Sequence, residues 1–236
     1  MSHYRHYDEE LHLLKERLLR MGSLAETSLH RAVEAFVRRD HTHLPEVHEI
    51  EKEVNQLEIE VQDRAMKLIA RMQPVAADLR FLIMVIKIAS EVERVSDQAV
   101  NMATSAEKYL DEPPFKKLVV TPVMAERAMK MFRESLDAFV RGDADLARRV
   151  LAEDDEVDAF RDSIFRNMIT YMMEDPTTIS RAISVIFVAR NLERVADHAT
   201  NIAEEVIYLV EAREVRHHHD DASGESRDSQ PKVSSK

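Results

Sequence analysis

The sequence of 236 residues contains no cysteine and no tryptophan, and only three glycines and seven prolines. Without cysteine the chain cannot form a disulfide scaffold, a cysteine-ligated zinc site, an iron–sulfur cluster or a thiol nucleophile. Basic residues are also in the minority, since 33 Lys and Arg stand against 44 Asp and Glu, and the formal net charge is −11. This balance argues against a protein that binds nucleic acid through its phosphate backbone.

Long apolar runs are missing as well. The N-terminal stretch Met1–Tyr7 has no apolar segment of the kind that a signal peptide contains. An uncharged run such as Ala182–Ala189 is far shorter than the roughly 20 residues that a membrane-spanning helix needs. We therefore expect a cytoplasmic protein that meets a membrane only indirectly, through its partners.

Helix-forming residues dominate the segments between the few glycines and prolines. An apolar stripe at spacings of three, four or seven is formed by Val47, Ile50, Val54, Leu57, Val61 and Leu68. No segment alternates apolar and polar residues for long enough to predict a strand. The pattern predicts an all-α protein with six long helices, at about 4–39, 44–72, 76–110, 121–141, 144–173 and 178–215.

The chain repeats itself. Ala35–Asp40 (AFVRRD) recurs 103 positions later as Ala138–Asp143 (AFVRGD), and Glu93–Asn101 recurs 100 positions later as Glu193–Asn201. The second pair is identical at six of nine positions. These repeats predict two tandem, pseudo-symmetric three-helix bundles. The predicted units are residues 1–112 and 113–215, followed by a disordered polar tail at 216–236.

Acidic residues recur at helical spacing in both units. Glu93, Asp97 and Asn101 follow one another at intervals of four residues on the third predicted helix, and the sixth helix repeats the row. Carboxylates one turn apart repel each other unless a positive charge offsets them, and oxygen donors suit Mg²⁺, Mn²⁺, Ca²⁺ or iron. The predicted metal ligands are Glu51, Asn55, Glu58, Glu93, Asp97 and Asn101 in the first unit and Asp154, Asp158, Glu193, Asp197 and Asn201 in the second.

Two other interpretations remain open from the residues alone. A row of acidic residues is often a solvated helix face, and Arg94, Arg190 and Arg194 are available to neutralise it in a purely structural helical module. A metal-dependent helical-bundle enzyme or a metal-storage protein is the other alternative. Because no phosphate-binding glycine loop and no nucleophile with an adjacent base occurs in the sequence, we do not expect an enzyme. Packing explains the repeated apolar residues, but it does not explain the repeated Glu, Asp and Asn.

Several longer blocks resemble the PhoU family of phosphate-uptake regulators. They are Gln73–Arg80 (QPVAADLR), Glu93–Asn101 (ERVSDQAVN), Tyr171–Pro176 (YMMEDP) and Asn191–Glu205 (NLERVADHATNIAEE). The resemblance runs over about residues 5–212. One departure is Ser96–Gln98, where the family more often has Gly-Asp-His.

The resemblance implies two three-helix bundles with multinuclear metal clusters, often of iron or zinc. The family motif of Glu or Asp, about three residues and then Asp falls on Glu93 with Asp97 and on Glu193 with Asp197. It further implies a non-enzymatic, homodimeric negative regulator of phosphate uptake and phosphate-starvation signalling. Such a regulator is an adaptor between the ATPase subunit of a Pst-type phosphate ABC transporter and a PhoR-type sensor histidine kinase. Iron, zinc, manganese and magnesium all remain open as its metal.

Overall fold

The computed structural model describes residues 2–115 and 120–212. Its helices are α1 (Ser2–Arg38), α2 (Leu44–Met72), α3 (Ala76–Leu110), α4 (Val120–Arg141), α5 (Ala144–Glu174) and α6 (Ile179–Glu211). These two ranges contain no strand, and none of their helices has the length and apolar content needed to cross a bilayer. The predicted all-α architecture is confirmed. The tail predicted at 216–236 and the boundary near 113 involve residues outside or beside the described ranges, so they stay predictions.

Local sequence explains where the helices end. α2 ends at Met72 because Pro74 disfavours the helical conformation of the residue before it, and Gln73 is left-handed with φ 48°. α5 begins after Asp143, whose carboxylate accepts a hydrogen bond from the backbone N–H of Leu146 at 2.9 Å. A 3₁₀ turn, Pro176–Thr178, precedes α6, so this helix begins one residue later than predicted.

Each half of the chain forms a three-helix bundle, and the two bundles share one core. α1, α2 and α3 contact one another, as do α4, α5 and α6, while α3 lies against α6 and α1 against α4. The predicted stripe on α2 is buried, and its residues join a hydrophobic cluster that continues through both bundles. At the α1–α4 contact the side chain of Leu136 packs against the backbone of Gly22, since a Cβ at this position would lie 2.5 Å from Leu136 Cδ1.

Polar contacts reinforce the contact between α3 and α6. Glu91 Oε2 lies 2.8 Å from His198 Nδ1 and accepts a hydrogen bond from Asn201 Nδ2 at 3.1 Å. Burial works to raise the pKa of Glu91, but the hydrogen bonds from His198 and Asn201 outweigh it and the pKa is lowered. Lys87 Nζ also donates to the buried Glu205, at 3.1 Å. The two bundles are therefore joined by charged groups as well as by apolar packing.

Arg39 ties the end of α1 to the end of α3. Its backbone is left-handed, with φ 56°, and its guanidinium donates to the carbonyl oxygens of Tyr109 at 3.2 Å and Leu110 at 2.7 Å. The last carbonyl groups of a helix have no partner within the helix, so these bonds satisfy them. The guanidinium carbon also lies 4.8 Å from the centre of the Tyr109 ring.

Candidate metal centres

The first candidate centre lies between α2 and α3 and consists of Glu51, Asn55, Glu58, Glu93 and Asp97; we call it the first cluster. Burial, followed by the negative charges of Asp97 and Glu58, raises the pKa of Glu93 from 4.5 to about 6. Burial, followed by Glu51, also raises the pKa of Asp97. The positive charge of Arg94 opposes these shifts without cancelling them. Ionisation of Glu93 and Asp97 is therefore disfavoured first by burial and then by the negative charges of neighbouring acids.

The hydrogen bonds of the first cluster come from neutral donors. Glu58 Oε1 accepts from Ser90 Oγ and from Gln62 Nε2, both at 2.8 Å. Asn55 Nδ2 donates to Glu51 Oε1, and Asn55 Oδ1 is then buried with no hydrogen-bond partner among the described residues. Buried polar atoms are nearly always partnered, and a hard cation accepts amide oxygens as ligands. This orphaned oxygen therefore fits a cation site.

The second candidate centre lies at the corresponding place between α5 and α6; Asp154, Asp158, Glu193 and Asp197 form the second cluster. Burial, followed by the charges of Asp197 and Asp158, raises the pKa of Asp154 from 3.8 to about 6. Burial and then Glu193 raise the pKa of Asp197, although part of its side chain is exposed. Both repeats thus bring acids from adjacent helices together.

An arginine that sequence analysis missed lies within the second cluster. Arg161 Nη1 is 2.8 Å from Glu193 Oε1 and 3.0 Å from Asp158 Oδ1. Arg94, Arg190 and Arg194, the arginines beside the acidic rows, lie on α3 and α6, whereas Arg161 belongs to α5. The repeat could have predicted the position of Arg161, because the offset of 103 residues aligns it with Glu58, a predicted ligand of the first cluster.

Two of the predicted ligands form no hydrogen bond with either cluster among the described residues. The side chain of Asn201 donates to Glu91 instead, and Asn101 is exposed, with its backbone carbonyl accepting from Ser105 Oγ at 2.9 Å. The reason is helix geometry: at 3.6 residues per turn, a residue eight positions along lies about 80° around the helix from the first. The two asparagines stay predictions as ligands, and the structure gives them other surroundings.

The donor set fits an oxygen-preferring cation. Within the described ranges no three His, Asp or Glu side chains are already arranged to hold a metal ion, so binding requires side-chain adjustment. The groups that gather are carboxylates and one amide, the ligands preferred by Mg²⁺, Mn²⁺ and iron, and zinc fits less well without His or Cys. A bound cation would also offset the burial, and after it the repulsion, that raise the pKa values of Glu93 and Asp154.

Comparison with known proteins assigns the chain to a family. The model of the PhoU domain matches it twice, at residues 18–106 and 121–206. The chain belongs to the PhoU family. The two matches fall on the two bundles, which agrees with the internal repeat.

Curated PhoU proteins resemble the chain over most of their length. It is 39% identical over 212 residues to the "phosphate-specific transport system accessory protein PhoU homolog" of Pseudomonas putida, covering 89% of this chain and 83% of that one. It is 33% identical to the corresponding Escherichia coli K12 protein, covering 89% and 88%.

Solved PhoU structures share the fold. The crystal structure of PhoU from Pseudomonas aeruginosa has a TM-score of 0.85 at 39% identity, covering 88% of this chain and all of that one. The PhoU structure from Streptococcus pneumoniae has a TM-score of 0.80 at 24% identity, covering 89% and 99%, and supports the fold alone.

Proposed function

We propose that this PhoU-family protein is a cytoplasmic accessory protein of a phosphate-specific transport system, and that it represses phosphate uptake and phosphate-starvation signalling when phosphate is plentiful. The observation that carries the proposal is its similarity, over most of both chains, to proteins named as accessory proteins of that system. The similarity includes both bundles, since the PhoU domain matches residues 18–106 and 121–206.

The protein acts as an adaptor between the ATPase subunit of the ABC transporter and a PhoR-type sensor histidine kinase, and it does so as a homodimer. Exposed apolar side chains support binding to protein partners. They lie on both sides of the connection between α5 and α6, four residues apart on each helix: Phe165, Ile169, Met173, Ile179, Ile183 and Phe187. Exposed apolar side chains grouped in this way are typical of protein interaction sites.

The two clusters bind metal ions, with iron, manganese and magnesium better matched than zinc. When bound, the ions supply positive charge that neutralises the acids and holds α2 to α3 and α5 to α6. Asn55 Oδ1 and the carboxylates of Glu51, Glu93 and Asp97 are the donors of the first cluster. Asp154, together with the other acids of the second cluster, plays the same part there. The role of the ions is structural, so no turnover is expected.

Gene deletion tests the regulatory proposal. In phosphate-rich medium, deletion is expected to switch on a phosphate-starvation reporter, and the full chain supplied in trans is expected to restore repression. Unchanged expression after deletion contradicts the proposal. Supplied in trans, a variant with Ile183→Asp and Phe187→Asp is expected to lose capture of the transporter ATPase from cell extracts. The control, Val123→Asp with Val140→Asp, alters equally exposed residues of α4 and should retain capture.

Elemental analysis tests the metal proposal. Replacing Glu193 and Asp197 together by alanine is expected to lower the metal content of the purified protein, while circular dichroism shows that its helicity persists. A matched control replaces Asp145 and Glu211, acids of the same two helices that pair with Arg148 away from the cluster. The control should keep the wild-type content, and a double cluster variant with unaltered content would rule out the assignment.

The alternative of a metal-dependent enzyme or metal-storage protein makes different predictions. The pKa values of about 6 at Glu93 and Asp154 place two carboxyl groups in the range used by acid–base catalysts. An enzyme should show turnover in phosphatase or ferroxidase assays of the metal-loaded protein. A storage protein should take up many more ions than two clusters can coordinate. Neither result is expected for a regulatory adaptor.

A further inference from the structure

The two clusters follow one plan but differ in the charge of their α2 and α5 residues. The offset of 103 residues aligns Glu51 with Asp154, which preserves an acid. The same offset aligns Asn55 with Asp158 and Glu58 with Arg161. A neutral amide and an acid in the first cluster are therefore replaced by an acid and a guanidinium in the second.

Arg161 is paired with acids on two helices. Its Nη1 contacts Glu193 Oε1 at 2.8 Å and Asp158 Oδ1 at 3.0 Å, and its Nη2 contacts Asp162 Oδ1 at 3.0 Å. Charge-assisted contacts of this kind are the stronger hydrogen bonds of proteins. By contrast, the hydrogen bonds that Glu58 accepts at the equivalent place, among the described residues, come from the neutral donors Ser90 and Gln62. The second cluster thus includes a positive side chain, the guanidinium of Arg161.

We propose that Arg161 is a built-in countercharge of the second cluster, and that the first cluster consequently binds metal ions more tightly than the second. This inference rests on the metal-binding function proposed above. The guanidinium occupies oxygens of Glu193 and Asp158 that an ion would need. An ion entering the second cluster must displace it and must also tolerate its positive charge nearby. In the first cluster, the charge of Arg94 acts on Glu93 and Asp97, but among the described residues no arginine or lysine forms a hydrogen bond with Asn55 Oδ1 or with the acids.

The surroundings of Arg161 allow this displacement without unfolding. Its side chain is about one-third exposed, at 32%, and it lines an open groove of about 470 Å³ together with Arg190 and Glu193. The guanidinium can leave the acids and enter solvent through this groove. The second cluster therefore still binds metal, but more weakly than the first.

A Mn²⁺ titration of the metal-free full chain tests the inference, with free Mn²⁺ measured by electron paramagnetic resonance. The wild type should show two classes of site that differ at least about tenfold in affinity, since neighbours of ligating groups change metal affinity by about 10- to 100-fold. Glu93→Gln with Asp97→Asn should remove the tighter class. Glu193→Gln with Asp197→Asn should remove the weaker class.

The decisive variant is Arg161→Gln, which should tighten the weaker class about tenfold and leave the tighter class unchanged. The reciprocal variant, Glu58→Arg, should weaken the tighter class. Arg148→Gln is the control, because Arg148 is another arginine of α5 whose partners, Asp145 and Glu211, lie outside the cluster. It should alter neither class. Circular dichroism and urea denaturation verify that each variant is folded.

The possible outcomes separate the inference from the function on which it rests. Two classes of equal affinity in the wild type, or an Arg161→Gln protein whose weaker class is unchanged or weakened further, would overturn the role of Arg161 and leave metal binding intact. An equal response to Arg148→Gln would also overturn it, since the effect would then come from net charge. Absence of Mn²⁺ binding at both clusters would refute the metal-binding function itself.

Discussion

Replacing Glu93 by glutamine is expected to stabilise the metal-free protein at neutral pH, although it removes a charged residue from a bundle that looks well packed. Glu93 lies in the first cluster, where burial and the charges of Asp97 and Glu58 raise its pKa from 4.5 to about 6. The ionised carboxylate is therefore less favourable in the folded protein than in the unfolded chain. Glutamine keeps the shape of the side chain and removes the charge.

The pKa shift sets both the size and the pH dependence of the effect. A rise from 4.5 to about 6 corresponds in full to about 2 kcal/mol, and solvent screening of this partly exposed group reduces our expectation to about 1 kcal/mol. Below pH 4.5 the carboxyl is protonated in both states, so it costs nothing. Between pH 4.5 and 6 the unfolded chain loses the proton first, and the free energy of unfolding falls. Above pH 6 the full penalty is present.

Urea denaturation of the chelator-treated protein at pH 4.5 and 7.5 measures this effect. Glu93→Gln should raise the free energy of unfolding by about 1 kcal/mol at pH 7.5 and change it little at pH 4.5. The same gain corresponds to about 2–4 °C in melting temperature for a chain of this size. Glu107→Gln is a suitable control, because Glu107 is an exposed acid on the same helix, and it should have little effect at either pH.

Two results would refute this reasoning. A Glu93→Gln protein less stable than the wild type at pH 7.5 would mean that the carboxylate is well compensated in the folded state. A gain of the same size at both pH values would mean that the effect does not come from the ionisation of Glu93. Adding Mn²⁺ should reverse the order at pH 7.5, because the wild type gains stability from the bound ion and the variant loses a ligand.

Three further substitutions test the fold, each by urea denaturation at pH 7.5. Ile88→Ala removes a fully buried side chain and should cost about 2–5 kcal/mol, whereas Ile59→Ala, at a side chain 60% exposed, should cost less than about 1 kcal/mol; similar losses would contradict the described core. Asp143→Ala removes the cap of α5 and should cost about 1 kcal/mol, and no loss would mean that the cap is dispensable. His198→Ala removes a partner of the half-buried Glu91 and should cost about 1–3 kcal/mol; an unchanged midpoint would argue against the polar contact between the bundles.

The helices were predictable because residues close to their ends in the sequence determine where they begin and end. Pro74 and the residues around it separate α2 from α3, and the observed bounds of both helices match the prediction. The start of α6 was less predictable. The Asp175 carboxylate accepts from the backbone N–H of Thr177 at 3.0 Å and stabilises a 3₁₀ turn at a place where the helical pattern had already begun.

The candidate centres were only partly predictable. Helical periodicity assigns residues to one face of a helix, but it does not say which face of a neighbouring helix packs against that face. The acids of α3 and α6 have their predicted α2 and α5 neighbours close by, as the pKa shifts of Glu93 and Asp154 show. The positions of Arg161 and Asn201 depend on how adjacent helices cross, and that is decided by packing over the whole core. Arg161 therefore joins the second cluster, and Asn201 lies against Glu91 instead.

Through the contacts of α3 with α6 and of α1 with α4, each repeat covers part of the hydrophobic core of the other. Unfolding of one repeat would expose apolar surface of the other, so we expect the two repeats to unfold together. Because the two repeats belong to one chain, each repeat always has the other available as its packing partner. A half-length protein with the same helix faces would need to associate with a second copy of itself, and that association would depend on protein concentration. In the present chain the same packing is intramolecular and does not depend on concentration.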